Sequence, residues 1–522
     1  MTDLVDHNGL PMRASSYNGS DRFGPDLQKW MPMLTAADDD VLADWEVNVG
    51  RLRELVSENG LTSGAVQSHL DNIIGTGLRA VAKPDWRALR LSEEWAGEFQ
   101  QQAEAVWREW ADDNMARCHA AGVLDFTGLL AQAYRSWMAA GEITATSEWL
   151  ERDDWGFRTA IQPIDPERLS NPAGRPDTLS MRAGVEKGAH GEPVAYHVRE
   201  GHPNALLGIA RQDAYRWQRV PRHTEFGRRL FIHIFDQRRP GQTRGQTGML
   251  AGIKQVKMME RWQQTSLQAA IINSMYAAVI ESGMDHPAVI EALSSHGENP
   301  LSEYMGSALE FHSGTNKIQW DGSKIAHLFP GEKLNMLKAE QPVAAFEQFE
   351  SAALRNLAAS WNMSYEQLSR DYSKTNYSSA RASMLEAWKF IIGQRHKVAG
   401  RFASECYALV IEDAIDSGRI ELPRGAPGFY ERGAKAAYTR AEWLGPGREH
   451  IDPVKGEKAT EMSLANGTTT LEAECASRGL DYREVIRQRA REQRMLEAAG
   501  LPLPGATPMG PGEPLNDPED QA

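Results

Sequence analysis

Apolar positions along this chain follow two periods, and the changeover between them divides it. From about residue 41 to 140 helical spacing dominates. Trp95, Phe99, Ala103, Val106, Trp107 and Trp110 recur mostly three and four residues apart, a stripe that predicts an amphipathic helix facing a core or a neighbour. Ser92 followed by Glu93 and Glu94 suits its N-terminal end, where a hydroxyl and negative charge satisfy free N–H groups. Between about 141 and 240 short apolar runs alternate with turn residues such as Asn171-Pro172 and Gly191-Glu192-Pro193. PVAYHVR (193–199) and RRLFIHIFD (228–236) have the β-branched and aromatic content of strands, so this stretch predicts a β-rich module.

After Pro240 the helical period returns in longer stretches. Residues 252–282 read as one helix of about 45 Å at ~1.5 Å per residue. Its apolar stripe is Ile253, Val256, Met259 and Trp262, then Leu267, Ile271, Met275 and Val279. Lys254, Lys257, Arg261 and Gln264 take the other side. A second helix is predicted over 342–361 from Pro342 onward, carrying Phe346, Phe349, Leu354, Leu357 and Trp361. A third covers 378–417, interrupted only by Gly393 and Gly400. These exceed the mean helix length of about 11–12 residues and point to long shafts packed side by side. A strongly charged helix with five arginines, 481–497, follows. The fold class predicted is α+β, mainly helical.

The two ends differ from this pattern. Residues 1–40 scatter Gly, Pro, Asn, Ser and Asp between single apolar positions, and read as an extended arm anchored at points such as Tyr17, Phe23 and Trp30. The last 23 residues hold six prolines and four glycines, and are expected to be a disordered tail.

Composition then narrows the function. With 522 residues, 41% apolar and 25% charged, the chain has an ordinary globular makeup and about three domains' worth of length. Three scattered cysteines exclude a disulfide framework and a thiolate zinc site, and fit a reducing compartment. No apolar run reaches about 18 residues, and the acidic start MTDLVDHNGL lacks a secretory core, so neither a membrane span nor a signal is expected. A net charge of −14 disfavours a tight, sequence-specific DNA binder. It leaves room for a conduit, in which tight binding would hinder passage.

Catalytic signatures are missing: no G-x-x-x-x-G-K-[ST], H-E-x-x-H, G-x-S-x-G or C-x-x-C occurs. His190, His197 and His202 sit in a turn-rich region without partner thiolates, where unpaired surface histidines are the commoner case. Asp112-Asp113 and Asp153-Asp154 are acidic pairs of the kind a two-metal nuclease uses. Adjacent residues on a helix diverge, so solvated surface is the favoured reading. The most distinctive string is RPGQTRGQTG (239–248), whose glycines permit close backbone approach ahead of a long helix. Arg244 could join that helix's N-terminus on a phosphate. The favoured alternative is a strand-to-helix connection in which Arg244 forms a salt bridge within or between subunits. Fifteen tryptophans add weak support for association.

Seven strings, in order, carry a resemblance. They are DNIIGTGLRA (71–80), HIFDQRRPGQTRG (233–245), MYAAVIES (275–282), HLFPGEKLN (327–335), SYEQLSRDYSKTNYSSARAS (364–383), WLGPGREHIDPVKGEKA (443–459) and CASRGLDYREVIRQ (475–488). Through them the chain resembles the lambda family of bacteriophage portal proteins from about residue 17 to 497. The resemblance implies the portal fold, with an arm at 1–40, a wing region at 41–240 (helical, then β-rich) and a stem and clip region at 241–340. A second wing part and C-terminal helical crown follow at 341–499, then the tail at 500–522. It implies a ring, usually a dodecamer, at the unique vertex of a tailed-phage head, with host cytoplasm as the place of assembly. Implied partners are the terminase large subunit, the major capsid and scaffold proteins, the head–tail connector and non-specifically passing double-stranded DNA. No membrane, cofactor, metal or catalytic residue is implied. Arg244, Lys254, Lys257, Arg261, Lys374 and Arg381 are the candidate basic residues for the DNA channel or for contacts between subunits. Two other classes compete: a different ring-forming head–tail adaptor, and a metal-dependent nucleic-acid enzyme built on the Asp pairs and histidines.

Overall fold

The computed structural model describes residues 29–152, 154–204, 213, 215–276, 310, 318–320, 323–325, 343–373, 377–447 and 453–501. The chain divides into two units, one formed by residues up to Ile253 and from Leu357 onward, the other by Lys254–Asn356.

The first unit opens with α1 (Ala37–Leu42), α2 (Trp45–Glu58) and α3 (Gly60–Ile73), then β1 (Arg79–Ala82), the single turn α4 (Trp86–Leu89), α5 (Glu93–Ala111) and α6 (Phe126–Ala140). Helix α5 forms as its stripe predicts: Ser92 Oγ accepts from the Trp95 N–H at 3.1 Å, and Phe99, Ala103, Val106, Trp107 and Trp110 are buried. Trp107 packs edge-on to Phe126, Tyr407 and Trp443 with ring centroids 4.7, 5.7 and 5.3 Å away. Burying each such ring contributes about 1.5–3 kcal/mol.

The β-rich stretch makes two antiparallel sheets. One has the order β3 (Thr159–Pro163), β2 (Glu142–Trp149), β8 (Phe231–Phe235). The other runs β4 (Met181–Arg182), β5 (Val185–Lys187), β6 (Pro193–Arg199), β7 (Trp217–Pro221). Strand β6 coincides with the predicted PVAYHVR, and β8 is shorter than predicted. Arg228 closes a turn by accepting from the Thr224 N–H, with Gly227 at φ +101°, and Arg229 forms an isolated bridge with His223, so the continuous strand starts at Phe231.

In the second unit, α7 (Ile253–Tyr276) covers the first part of the helix predicted over 252–282; residues 277–282 lie outside the described residues. A hairpin of β9 (Ile318–Trp320) and β10 (Ser323–Ile325) follows, then α8 (Val343–Ser360). Helices α7 and α8 run antiparallel, with Gln255 Nε2 donating to the Ala353 carbonyl, Gln263 Nε2 donating to Glu350, and the Trp262 and Phe349 rings 4.9 Å apart. Among the described residues the apolar stripe of α7 is buried at its start, where Val256 and Met259 lie, whereas Leu267 is 63% exposed.

Back in the first unit come α9 (Tyr365–Ser369), α10 (Tyr377–Gln394) and α11 (Gly400–Asp416). The predicted 378–417 helix is continuous across both glycines, with a π-helical stretch, Arg395–Ala399, between α10 and α11. Such bulges insert one residue into the ladder without ending the helix. Helix α11 is the core of the unit, with Phe402, Ala403, Cys406, Tyr407, Leu409 and Val410 at most 1% exposed. The chain ends with α12 (Ala434–Tyr438), β11 (Ala441–Leu444), which pairs with β1, and then α13 (Pro453–Ala465), α14 (Leu471–Ser477) and α15 (Tyr482–Ala499). All three cysteines are free and buried. Of the arm's expected anchors, Tyr17 and Phe23 lie outside the described residues, and Trp30 is 71% exposed, so it is not packed into a core among the described residues.

Candidate functional site at the 239–253 connection

The RPGQTRGQTG string links β8 to a 3-10 turn, Gly248–Gly252, that leads directly into α7. Thr243, Arg244 and Thr247 turn inward to partners far away in sequence, while buried Gln242 braces the turn locally by accepting from the Arg238 N–H and donating to the Arg244 carbonyl. Arg244 is 2% exposed and uses all five guanidinium N–H groups. Nε and Nη2 donate to Glu142 Oε1, Nη1 to the Leu169 and Ala183 carbonyls, and Nη2 also to the Pro166 carbonyl. The guanidinium lies over the Trp45 ring, 4.5 Å from its centroid, and Trp45 Nε1 donates to the Gly245 carbonyl at 2.9 Å. Glu142, 0% exposed, accepts on its other oxygen from the Gly245 N–H at 2.8 Å and bonds His233 Nε2 at 3.0 Å. Burial alone would push the Glu142 carboxyl up, but the Arg244 charge and the bonds from His233 and Arg244 outweigh it and hold it down at about 2. Burial pushes His233 down despite Glu142, so it is neutral beside this pair at neutral pH.

Glycine is required where this lock closes. A Cβ on Gly245 would lie 2.1 Å from the Gly141 carbonyl oxygen, and Gly141 itself ends α6 at φ +84°. A second buried acid secures the preceding turn: Asp38, 1% exposed, accepts from the Thr243 N–H at 2.6 Å and from its hydroxyl, with Lys187 Nζ 3.3 Å away. Thr247 caps the 3-10 turn by accepting from the Met249 N–H while donating to the Met138 carbonyl.

The return crossing is fixed in the same unit. Trp361, 3% exposed, donates from Nε1 to the Met249 carbonyl at 3.1 Å. A Cβ on Gly252 would lie 2.6 Å from both Leu357 Cδ1 and Trp361 Nε1. Both places where the chain leaves and re-enters the first unit are therefore tied to each other within it.

The predicted basic residues are placed unequally. Arg244 is corrected: with every donor bonded inside its own chain, no part of it is left for DNA or a neighbouring subunit. Lys254, Lys257 and Arg261 are exposed on α7 and share one stripe at spacings of three and four. Lys257 also pairs with Glu260 at 3.3 Å. Lys374 lies outside the described residues, as does the side chain of Arg381 in α10.

His197 faces Glu186 and His202 faces Glu167, each at 3.6 Å, and among the described residues no group of three or more His, Cys, Asp or Glu could hold a metal ion. Asp113 and Asp154 do come together, but around Arg117, which reaches them at 2.8 and 2.9 Å; Asp153 lies outside the described residues. The bonds from Arg117 hold Asp113 down at about 2. That cation occupies the place a metal would need. Sequence reasoning missed Asp38, Trp45, Gly141 and Glu142, since their partners lie beyond any local pattern.

A family model described as "Phage portal protein, lambda family" matches residues 23–395. The portal protein of Escherichia phage N15 is 34% identical over 496 residues, covering 94% of this chain and 92% of that protein. Portal protein B of Escherichia phage lambda is 34% identical over 509 residues, covering 97% and 93%. Among solved structures, a chain from the virion of a native gene transfer agent particle aligns over 83% of this chain and 93% of its own, at 12% identity and a TM-score of 0.38.

Proposed function

This chain belongs to the lambda family of phage portal proteins and is a structural protein of the head vertex of a tailed phage, and from that premise we propose how it works. Copies close into a ring, a dodecamer, whose channel admits double-stranded DNA during packaging and releases it on ejection. The ring nucleates the head with major capsid and scaffold proteins in the host cytoplasm, docks the terminase large subunit, and later receives the head–tail connector. The chain itself has no catalytic role. The observation that carries this reading is 34% identity to two portal proteins over nearly the whole length of each.

The lock around Arg244 supplies the mechanical part. A packaging motor drives DNA through its ring under load, so a long helix serving the channel needs a root that does not slip. A charged pair with fixed hydrogen-bond directions sets one register, whereas an apolar contact tolerates sliding. The stripe of Lys254, Lys257 and Arg261, with Lys374 and Arg381, supplies scattered positive charge in an otherwise acidic assembly. Non-specific phosphate attraction of this kind reads no sequence, as a conduit requires. Negative-stain images of the purified protein test the reading: annular particles with a hole of about 20 Å or more are expected, wide enough for an ~12 Å groove-bearing duplex to pass whole. A strictly monomeric protein at every salt and concentration overturns it.

A further inference from the structure

We infer that the last three turns of α15 are a binding face for the phosphate backbone of duplex DNA. This rests on the portal reading and adds a site to it. Asp481 caps α15 by accepting from the Arg483 N–H, and the first turn is seated: Arg483 bonds Gln100, and Glu484 pairs with Arg79 and Arg108. Beyond that turn the helix leaves the body of its unit. From Arg487 to Ala499 every residue except the half-buried Leu496 is exposed.

The free length carries Arg487, Arg489, Arg491 and Arg494, and all but Arg489, which lies on the opposite, apolar side, share one face. At about 100° per residue, Arg483, Arg487, Arg491 and Arg494 fall within an arc of roughly 80°. The apolar positions Val485, Ile486 and Leu496 centre about 150° away. Glu492 and Glu497 lie outside the basic arc and bond Gln488 and Gln493 on their own side. Arg487, Arg491 and Arg494 have no ion-pair partner among the described residues; Arg494 Nε donates only to the Ala490 carbonyl. Three guanidinium groups thus stand in line without an ion pair among the described residues.

The occupant follows from chemistry. The arc runs about 16 Å from Arg483 to Arg494, alongside a duplex that offers one phosphate every ~3.4 Å of axis on each strand. Planar guanidinium forks match phosphate oxygens in pairs. Beside the arginines that arc holds only Ala498, at its far end, so it lacks the aromatic and large apolar centre that marks a protein–protein contact. Even if a second copy of the chain covers the apolar side, the arginines still point outward.

Fluorescence anisotropy of a short labelled DNA duplex with the full-length protein, titrated from about 50 to 200 mM salt, tests this. Each phosphate contact contributes about −0.9 to the slope of log K against log salt. Replacing Arg487→Gln, Arg491→Gln and Arg494→Gln together should make the slope shallower by about 2.7. The affinity lost across that salt range should then be about 40-fold smaller than in the parent. Arg51→Gln with Arg87→Gln and Arg432→Gln, the same charge change at exposed sites elsewhere, should leave the slope unchanged. An unaltered slope in the α15 variant, or an equal change in the control, overturns the assignment. So does an α15 variant that binds DNA normally yet no longer forms rings in negative stain, which would make the face an intersubunit contact. Absence of rings in the parent counts against the portal reading alone, because DNA binding is read separately.

Discussion

Replacing Arg244 with methionine removes the charge while keeping most of the stem that lies over Trp45. Glu142, 0% exposed, then keeps only the Gly245 N–H and His233, and the carbonyls of Pro166, Leu169 and Ala183 each lose a guanidinium donor, Pro166 keeping the Leu169 N–H. Removing one partner of a buried pair costs about 3–5 kcal/mol. Against burial, which alone would raise it, the Arg244 charge and the bonds from His233 and Arg244 hold the Glu142 carboxyl down at about 2, so the pair also stabilises the folded chain at neutral pH. Urea unfolding followed by tryptophan fluorescence should show Arg244→Met lower by about 3–5 kcal/mol, with an unchanged denaturant slope. Because the folded carboxyl titrates below the unfolded one, the parent keeps this contribution above about pH 4.5 and loses it as pH falls toward 2. The variant should lose less over that window. Adding Glu142→Gln to Arg244→Met should recover part of the loss, since the stranded charge is gone. A loss under about 1 kcal/mol, or a double variant whose losses simply add, would refute the lock.

Three more outcomes are expected. Gly245→Ala drives a methyl into the Gly141 carbonyl and should destabilise by about 1–3 kcal/mol or more in the same assay, whereas Gly241→Ala, with open space around its Cβ and only its φ of +83° to strain, should cost less. His69, buried against Phe390, is pushed down to about 4 by burial, against a bond to Trp361 that raises it. Its folded value lies below its unfolded one, so about 3 kcal/mol of stability present above pH 6.5 should drain away as pH falls toward 4. His69→Gln should flatten that decline in pH-dependent thermal melts, and parallel profiles would contradict it. Reversing Lys254→Glu and Arg261→Glu together should leave ring formation intact and lower the packaged DNA fraction by about a few-fold, read by nuclease protection; unchanged packaging would remove α7 from the channel-facing set.

What could be read from the sequence was local. The stripe from Trp95 to Trp110 and the strand at 193–199 emerge because periodicity and capping act within a few residues. The π-helical stretch at Arg395–Ala399 did not show, since a bulge leaves the apolar pattern on either side intact. RPGQTRGQTG was singled out, and a salt bridge at Arg244 was the favoured reading, but Glu142 lies 102 residues away and nothing near it marks a buried acid. The acidic pairs posed the converse problem. Asp113 and Asp154 are neighbours in space, as a metal site would require, yet the cation between them is Arg117. Trp30 and Leu267 were assigned to packing because hydrophobicity predicts burial without saying by what, and in the single chain both are exposed.

Charge balance decides how a DNA-contacting portal can still let DNA move. A protein with 6–10 phosphate contacts loses about 10³–10⁵ in affinity when salt rises fourfold, so its hold on the duplex is largely electrostatic. The exposed arginines of α15 allow about three contacts per chain, an affinity that a fourfold rise in salt cuts by about 40-fold. The remaining charge of the chain is acidic, −14 in all, and pushes the duplex away wherever those arginines do not hold it. Contact of this kind is salt-sensitive and blind to sequence, so it favours no one stretch of duplex over the next as DNA moves.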